Sequence, residues 1–518
     1  MQYAAKSESR SWRWWAEVHR VGRAMIDVTP AVISGTTRKT LGEPAGSFTL
    51  TMKSSFNVGI DAGDLLRFIA DDDWILIGAT DSDGTDWVIM LGLVDGIRRS
   101  RAGTAGATTY TVHGRDLGKV FLKSDLLDMP WLATSFQQGE GNSHVAWDHL
   151  NGVTPRTPGW VVKEMTRYVL SDDPWRGKRR RWAVPETLVF DGARAVDPAV
   201  RQGIDIISLN QIDTDNTLGD MSALLDVPVG IGQGGSLWAI LSQYANPLLN
   251  EMHYDLIAQP GDARSAVAYS RRGERIGAQP SLRLRQKPFP SLQQTVSDAV
   301  SDFGDVVDSL PVELSNPWSE LPVSTFPENH LEAYDVGRSG AERFNWFLVE
   351  AGGGDDLIVR GATAMLHGGD LPEDKLWDTL PAVLLSSIEY HGRCMLQQSS
   401  AYINPELNEG AVWASQQWVR LLRDWYAPNP MFLSGTASIA YLAPGVRIGE
   451  RLRVAMRDAS VEEFYVEGVE HRFNKRPDGA AHGSTTLSIT RGWQLDDAKA
   501  DYVAEVQAWL RKNLEGRT

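Results

Sequence analysis

Several short stretches place residues with chemical potential at telling spacings. Gly230, Gly232 and Gly235 form a G-x-G-x-x-G after a strand-like run and before a helix opened by Ser236. Glycines so spaced let a backbone approach a pyrophosphate, and Glu251 or Asp255 stands near the distance of a ribose-binding acid. The surroundings speak against that chemistry. No alternating strand–helix series follows, and strand pairing elsewhere reads as antiparallel. His391 and Cys394 would make a nucleophilic pair only with a base positioned in space, and a buried structural thiol is the simpler account. Glu467 and Glu470, three apart on a strand, project to opposite faces and cannot act there as a glycosidase pair. Asp81, Asp83 and Asp86 around Gly84 lack the spacing and closing Glu of an EF-hand, and read as an acidic hairpin turn. The ten histidines are scattered, with no HExxH, and no G-x-S-x-G or Walker A sequence occurs. Spacing alone thus gives no positive case for an enzyme, a cofactor or a metal. The rival class is a nucleotide-dependent enzyme using residues 230–235, or a cell-wall hydrolase.

The elements that must position such residues are strands. Residues 449–493 read GERLRV, EEFYVEGVEHRF and STTLSITRGW, with the apolar–polar alternation of half-buried strands. Residues 63–116 say something similar: GDLLRF, DWVIMLGLVDGIRRS and TTYTVHGRD. Each copy has a Gly-acid-x-Leu opening, a strand ending in Gly-x-Val or Leu-Val plus an acid, a turn, and a Thr-Thr strand closing on Gly and Arg. The pattern predicts a duplicated β unit, with an acidic insert at 71–86 lengthening the first copy.

At 518 residues the chain exceeds one core and predicts roughly three or four domains. No apolar run approaches the ~20 residues of a membrane span, and the first residues lack an apolar signal-peptide core. The single Cys394 excludes an intrachain disulfide framework and a cysteine zinc site. A net charge of −15 argues against a general nucleic-acid binder. It suits a surface that nucleic acid slides past. Nineteen tryptophans favour large buried contacts and subunit interfaces.

In order, residues 1–120 form a first strand-rich unit, opening on Trp12, Trp14 and Trp15 among arginines, a strand or arm packing on a neighbour. Residues 121–225 are an insertion of loops and short elements that carries the basic run 176–181, read as a solvated loop. Residues 226–292 are an α+β segment with a helix through Leu237, Trp238 and Leu241. Residues 293–340 are a polar linker or surface excursion. Residues 341–430 hold a strand and a helical stretch with Trp413, Trp418 and Trp425 on one stripe. Residues 431–495 are the second β unit, and 496–518 an amphipathic helix bearing Trp509.

Four passages in this order resemble the baseplate hub proteins of contractile phage tails and related injection machines: YTVHGRDLGKV (110–120), GGSLWAILSQYANPLLNEMHYDL (234–256), LRLRQKPF (282–289) and EEFYVEGVEHRFN with STTLSITRGW. The resemblance implies a mainly β fold with α+β parts: two tail-tube-like antiparallel barrels in one chain, joined by smaller α+β or helical domains. It implies a homotrimer whose six barrels stand in pseudo-sixfold array, joining a trimeric spike to a hexameric tube and forming part of a DNA channel. Implied partners are the spike, tail tube or tube-initiator proteins, other baseplate proteins and the tape measure protein. The implied location is the virion baseplate, assembled in the host cytoplasm, with DNA passing unbound and no membrane span. In this family residues 230–235 merely lead into a helix. Candidate interface or structural residues are Trp12, Trp14, Trp15, Trp238, Asn246, Asn250, Glu251, Tyr465, Glu467, Arg491, Trp493 and Trp509.

Overall fold

In the computed structural model the described residues are 12–53, 65–81, 84, 86–101, 108–126, 159, 162, 166, 185, 188, 235–245, 247–258, 267–268, 275–276, 278–289, 318, 321–351, 382–400, 419, 421–475 and 481–495. Most of the 121–225 insertion, its basic run, Gly230, Gly232, Asn246, Trp413, Trp418 and the C-terminal helix with Trp509 lie outside them.

The N-terminal part is built from β1 (Arg13–His19), β2 (Ile26–Asp27), β3 (Val32–Thr40), β4 (Ser47–Lys53), β5 (Trp74–Thr80), β6 (Asp86–Arg101) and β7 (Thr108–Asp116). Alternation decides the faces. In β4, Phe48, Leu50 and Met52 point inward while Thr49 and Thr51 are half-buried on the other face. The unbroken apolar run of β5 is buried on both faces. A short helix, α1 (Lys119–Lys123), follows.

The middle holds β8 (Asp125–Leu126), β9 (Gly235–Ser236), helix α2 (Leu237–Tyr244), β10 (Asn250–Ala258), β11 (Val267–Ala268), β12 (Arg275–Ile276) and β13 (Ala278–Gln286). Ser236 caps α2 by accepting from the Ala239 N–H at 3.3 Å, satisfying one of the free amides of a helix start. Strands β10 and β13 pair antiparallel over nine positions.

The C-terminal part holds β14 (Val323–Pro327), β15 (Leu331–Arg338), β16 (Trp346–Ala351), β17 (Ala382–Val383), α3 (Leu385–His391), β18 (Met395–Ser400), β19 (Leu433–Ile439), β20 (Arg451–Ala455), β21 (Val461–Lys475) and β22 (Ala481–Leu495). Strands β16, β17 and β18 form a small sheet of their own.

Thirteen strands share one sheet, in the order β15-β19-β22-β21-β3-β4-β7-β6-β5-β1-β2, with β20 beside β21 and β14 beside β20. This order contains one pattern twice. The first unit runs β3-β4-β7-β6-β5-β1-β2 and the second β15-β19-β22-β21-β20-β14. Strand β1 is the one addition: it lies between β5 and β2, where the second unit pairs β20 directly with β14. Irregularities repeat as well. Bulges fall between Val94 and Gly96 and between Val466 and Gly468, and again between Val32 and Ser34 and between Leu331 and Ala333. Backbone bonds match: Val94 N–H to Asp73 O and Val466 N–H to Glu450 O, both 2.9 Å; Lys53 N–H to Ala31 O and Ala440 N–H to His330 O, 2.9 and 3.1 Å. Asp72 and Gly449, at equivalent places, both adopt positive φ, 64° and 74°.

The duplication holds, with a different frame from the one expected. Residues 72–77, not 63–68, correspond to 449–454. Residues 65–67 form a 3-10 turn, and the acidic stretch at 71–73 is no insert but the approach to β5. The closing strands also shift by two, since Tyr110 rather than Thr108 answers Thr485. A two-residue slip preserves the face each side chain points to, so sequence alternation could not detect it.

The halves meet where β21 pairs antiparallel with β3, Gly468 opposite Thr40 through Asn474 opposite Ser34. Phe473 of the second unit belongs to the first unit's core with Trp14, Phe48, Leu50 and Val112. No closed barrel occurs among the described residues.

Candidate assembly site: a buried polar seam and two open edges

The hairpin β10/β13 lies against both units through a polar seam. Along β10, Glu251 and His253 share a face, and Arg283 and Arg285 stand opposite them in register. Arg285 Nε donates to Glu251 Oε1 at 2.8 Å, while its Nη2 reaches Gly449 O at 2.5 Å and the Tyr465 hydroxyl at 3.2 Å. Tyr465 in turn donates to Glu251 Oε1 at 2.5 Å. Burial and the Glu251 charge push the Tyr465 hydroxyl pKa up. Burial would pull the Arg285 guanidinium down, but Tyr465 and Glu251 hold it above its ordinary range. His253 goes the opposite way, held well below the usual imidazole range by burial and then by Arg285 and Arg283.

Arg491, at φ 52°, bends out of β22 to lay its guanidinium over Phe289 at 4.1 Å and Tyr465 at 4.6 Å, with Nη1 donating to Pro288 O at 2.5 Å. Phe289 stacks on Trp425 at 4.8 Å. Beyond Tyr465, Trp318 donates to Glu463 Oε1 at 2.8 Å, and that carboxylate also pairs with Arg451 and Arg453.

Deeper lies a cleft lined by Lys39, Asp116, Tyr254, Asp255, Arg447 and His471. Lys39 pairs with Asp116, whose oxygens also accept the Gly46 and Gly118 N–H groups at 2.9 Å. Burial still holds the Asp116 carboxyl up. Arg447 donates to Ile89 O at 3.1 Å and Val88 O at 2.5 Å, so a loop of the second unit covers β6 of the first. His471 Nδ1 lies 3.0 Å from Thr485 Oγ1, and burial with the Arg447 charge lowers its pKa to about 3. Glu450 is pushed up to about 7 by burial, against the pull of Arg283 and Arg447.

The candidate residues are brought together only in part. Glu251, Tyr465 and Arg491 converge in the seam. Asn250 is buried and donates to Ala245 O at 3.0 Å, tying β10 to the end of α2. Trp238 on α2 meets Phe121 edge-on at 6.1 Å. Glu467 accepts from Thr490 Oγ1 at 2.9 Å at the bulge, and Trp493 stands opposite Glu463 across β21 and β22. Trp12, Trp14 and Trp15 are buried inside their own chain, Trp15 at 1 % exposure. Strand β1 therefore packs within its own sheet. Glu251 and Asp255, weighed as ribose acids, are engaged instead by Arg285 and Arg447. Cys394 is half-buried, with its backbone N–H bonded to Asn345 Oδ1 at 2.8 Å. Thr80 bonds Asp86 and Trp87 Nε1 bonds Asp81 within the β5–β6 hairpin, and no cluster able to hold a metal occurs among the described residues. Sequence reasoning missed Lys39, Asp116, Arg285 and Arg447, whose side-chain and carbonyl partners lie 34 to 359 residues away.

Seam and cleft are built of cations meeting carboxylates and carbonyls across element boundaries, an arrangement that fixes the hairpin and the two units in one geometry. What remains open is strand edge. Among the described residues, β6 beyond Val94 pairs with β7 on one side and with no strand on the other, and β15 pairs only with β19.

No family model matches the sequence, and no curated protein matches it. Solved structures resemble it at low identity. A tail protein from Neisseria meningitidis MC58 aligns with 13% identity and a TM-score of 0.42, covering 93% of this chain and 96% of that one. The 43 kDa tail protein of prophage MuSo2 from Shewanella oneidensis gives 12% and 0.40, covering 93% and 97%. A Francisella PdpA–VgrG complex gives 8% and 0.41, covering 93% of this chain and 58% of that one. The fold is mainly antiparallel β, and no described helix is long and apolar enough to cross a membrane.

Proposed function

We propose that this chain is a structural, non-enzymatic baseplate hub of a phage tail or related injection machine. The observation that supports it is the duplicated unit: strand order, bulges and turn conformation recur, and the copies join edge to edge in one sheet. Three chains then offer six similar units. That count lets a threefold spike meet a sixfold tube, which two closed rings of different symmetry must otherwise resolve. In this proposal residues 1–120 supply one tube-type barrel, and 431–495 supply the other together with 323–338, the part of the expected linker that carries β14 and β15. Residues 121–225 complete the first, 226–292 form the middle domain, 293–322 link it onward, 341–430 support the second barrel, and 496–518 contact a partner. The trimer holds the spike on one face and templates the tube on the other. Its acidic balance keeps DNA moving, since like charge repels over about a Debye length, ~8 Å at physiological salt. The chain works in the virion baseplate after assembly in the host cytoplasm.

The test is the mass of the purified chain by light scattering over a dilution series. The expected value is three times 57.2 kDa. A chain that stays monomeric even with spike and tube-initiator proteins added overturns the proposal.

A further inference from the structure

The internal junction β3·β21 involves one edge of each unit. Strand β21 beyond Val466 is covered by β3 of the first unit. The counterpart of β21 is β6, whose matching half beyond Val94 has no strand on that side among the described residues. The counterpart of β3 is β15, the end of the sheet. Among the described residues, the two edges without a paired strand are therefore the complements of the two edges already joined inside the chain.

We propose that the C-terminal half of β6 pairs antiparallel with β15 of a second copy of this chain, in the register that β21 keeps with β3. This rests on the hub proposal above and adds which edges meet and in what frame. Matching the bulges residue by residue carries Arg472 opposite Thr36 over to Ser100 opposite Asp335, and His471 opposite Thr37 over to Arg99 opposite Val336. Charge agrees with this placement. Exposed Arg98 sits on the β6 edge, and Glu332 and Asp335 on the β15 edge, with Arg338 at its end. Asp335 falls diagonal to Arg98, within reach of a long side chain.

The two junctions differ in chemistry as their roles require. Phe473 fills the internal one, packed on Trp14 at 5.0 Å, and its counterpart at the external one is Arg101. An internal junction forms once, during folding. An external one must stay soluble until a partner arrives, and charged side chains are what keep an open strand edge from random pairing. Because β6 and β15 are different surfaces, the contact is head-to-tail, the kind that closes into a ring when the rotation permits.

The test uses full-length chains with Cys394→Ser, each carrying one new cysteine. Residues directly opposite across antiparallel strands have Cβ atoms about 4.5–5.5 Å apart, close to disulfide geometry. Oxidising a mixture of Ser100→Cys and Asp335→Cys chains is expected to give a disulfide-linked heterodimer absent from either chain alone. A chain carrying both is expected to give covalent trimers that dissolve on reduction. Ser100→Cys with Val336→Cys, one residue out of frame and so on the opposite face, is expected to link at least tenfold less. A trimer by mass in which the matched pair fails to link, or in which Ser100→Cys links to itself, overturns this pairing and leaves the hub proposal standing. A chain that never leaves the monomer overturns both.

Discussion

Arg285 ties together more elements than any other side chain in the seam: β13 carries it, and it bonds Glu251 of β10, Tyr465 of β21 and the Gly449 carbonyl before β20. Removing one member of a buried charged pair strands the other, at a cost of about 3–5 kcal/mol. Arg285→Met is thus expected to lower unfolding stability by that amount in urea titration, while Glu251→Gln, which keeps an acceptor, should lose less. Two nearby groups give opposite pH slopes. The folded-state pKa of Glu450, about 7, lies above the ordinary carboxylate value. Its contribution is full below the unfolded pKa and is lost as pH rises toward 7. For His471 the folded value of about 3 lies below the ordinary one, so its contribution is present above pH 6.5 and is lost as pH falls. Melting temperatures taken from pH 4 to 8 should therefore show Glu450→Gln gaining on the parent at the alkaline end. His471→Gln should lose its deficit at the acid end. Parallel curves for parent and variants would refute both assignments. None of these partnerships was legible in the sequence, because the charges that meet are far apart in the chain and each looks like an ordinary surface residue.

Between elements, glycine placement decides how closely the two units join. A Cβ on Gly35 would lie 2.2 Å from the Phe473 ring and 2.6 Å from Leu50. Gly35→Val is expected to cost about 1–3 kcal/mol by overpacking, and amide exchange in β3 and β21 should accelerate ahead of that in β5. Gly42→Ala, with nothing within 4 Å of its added carbon, serves as the control and should change stability by under about 0.5 kcal/mol. At this scale the sequence was half legible. The repeated order of strand signals marked both copies, but neither bulge was read from the sequence, because the extra residue of a bulge shows only against its partner strand. The opening frame was not legible: GDLLRF and GERLRV look alike, yet residues 65–67 of the first form a 3-10 turn and DDWILI is the true counterpart. Alternation sets which face a residue occupies. Only pairing partners set which strand it belongs to.

For the whole molecule, what matters is that one sheet carries two copies of one topology and, among the described residues, leaves unpaired the edges complementary to its own internal junction. The sequence showed the duplication and predicted mainly β structure. It showed neither the fusion through β3·β21 nor the insertion of β1 between β5 and β2, since strand order across a sheet is a long-range property with no local mark. It also set Trp12, Trp14 and Trp15 toward a neighbour, whereas Trp14 and Phe473 meet at 5.0 Å within the chain. Under the hub proposal the assembled ring presents six similar walls in alternating internal and external junctions. End-on electron-microscopy averages of the purified assembly test this most directly. The account predicts a ring of three chains with an open centre and six lobes of nearly equal spacing. A compact particle without a hole, or a ring of three lobes only, would contradict it.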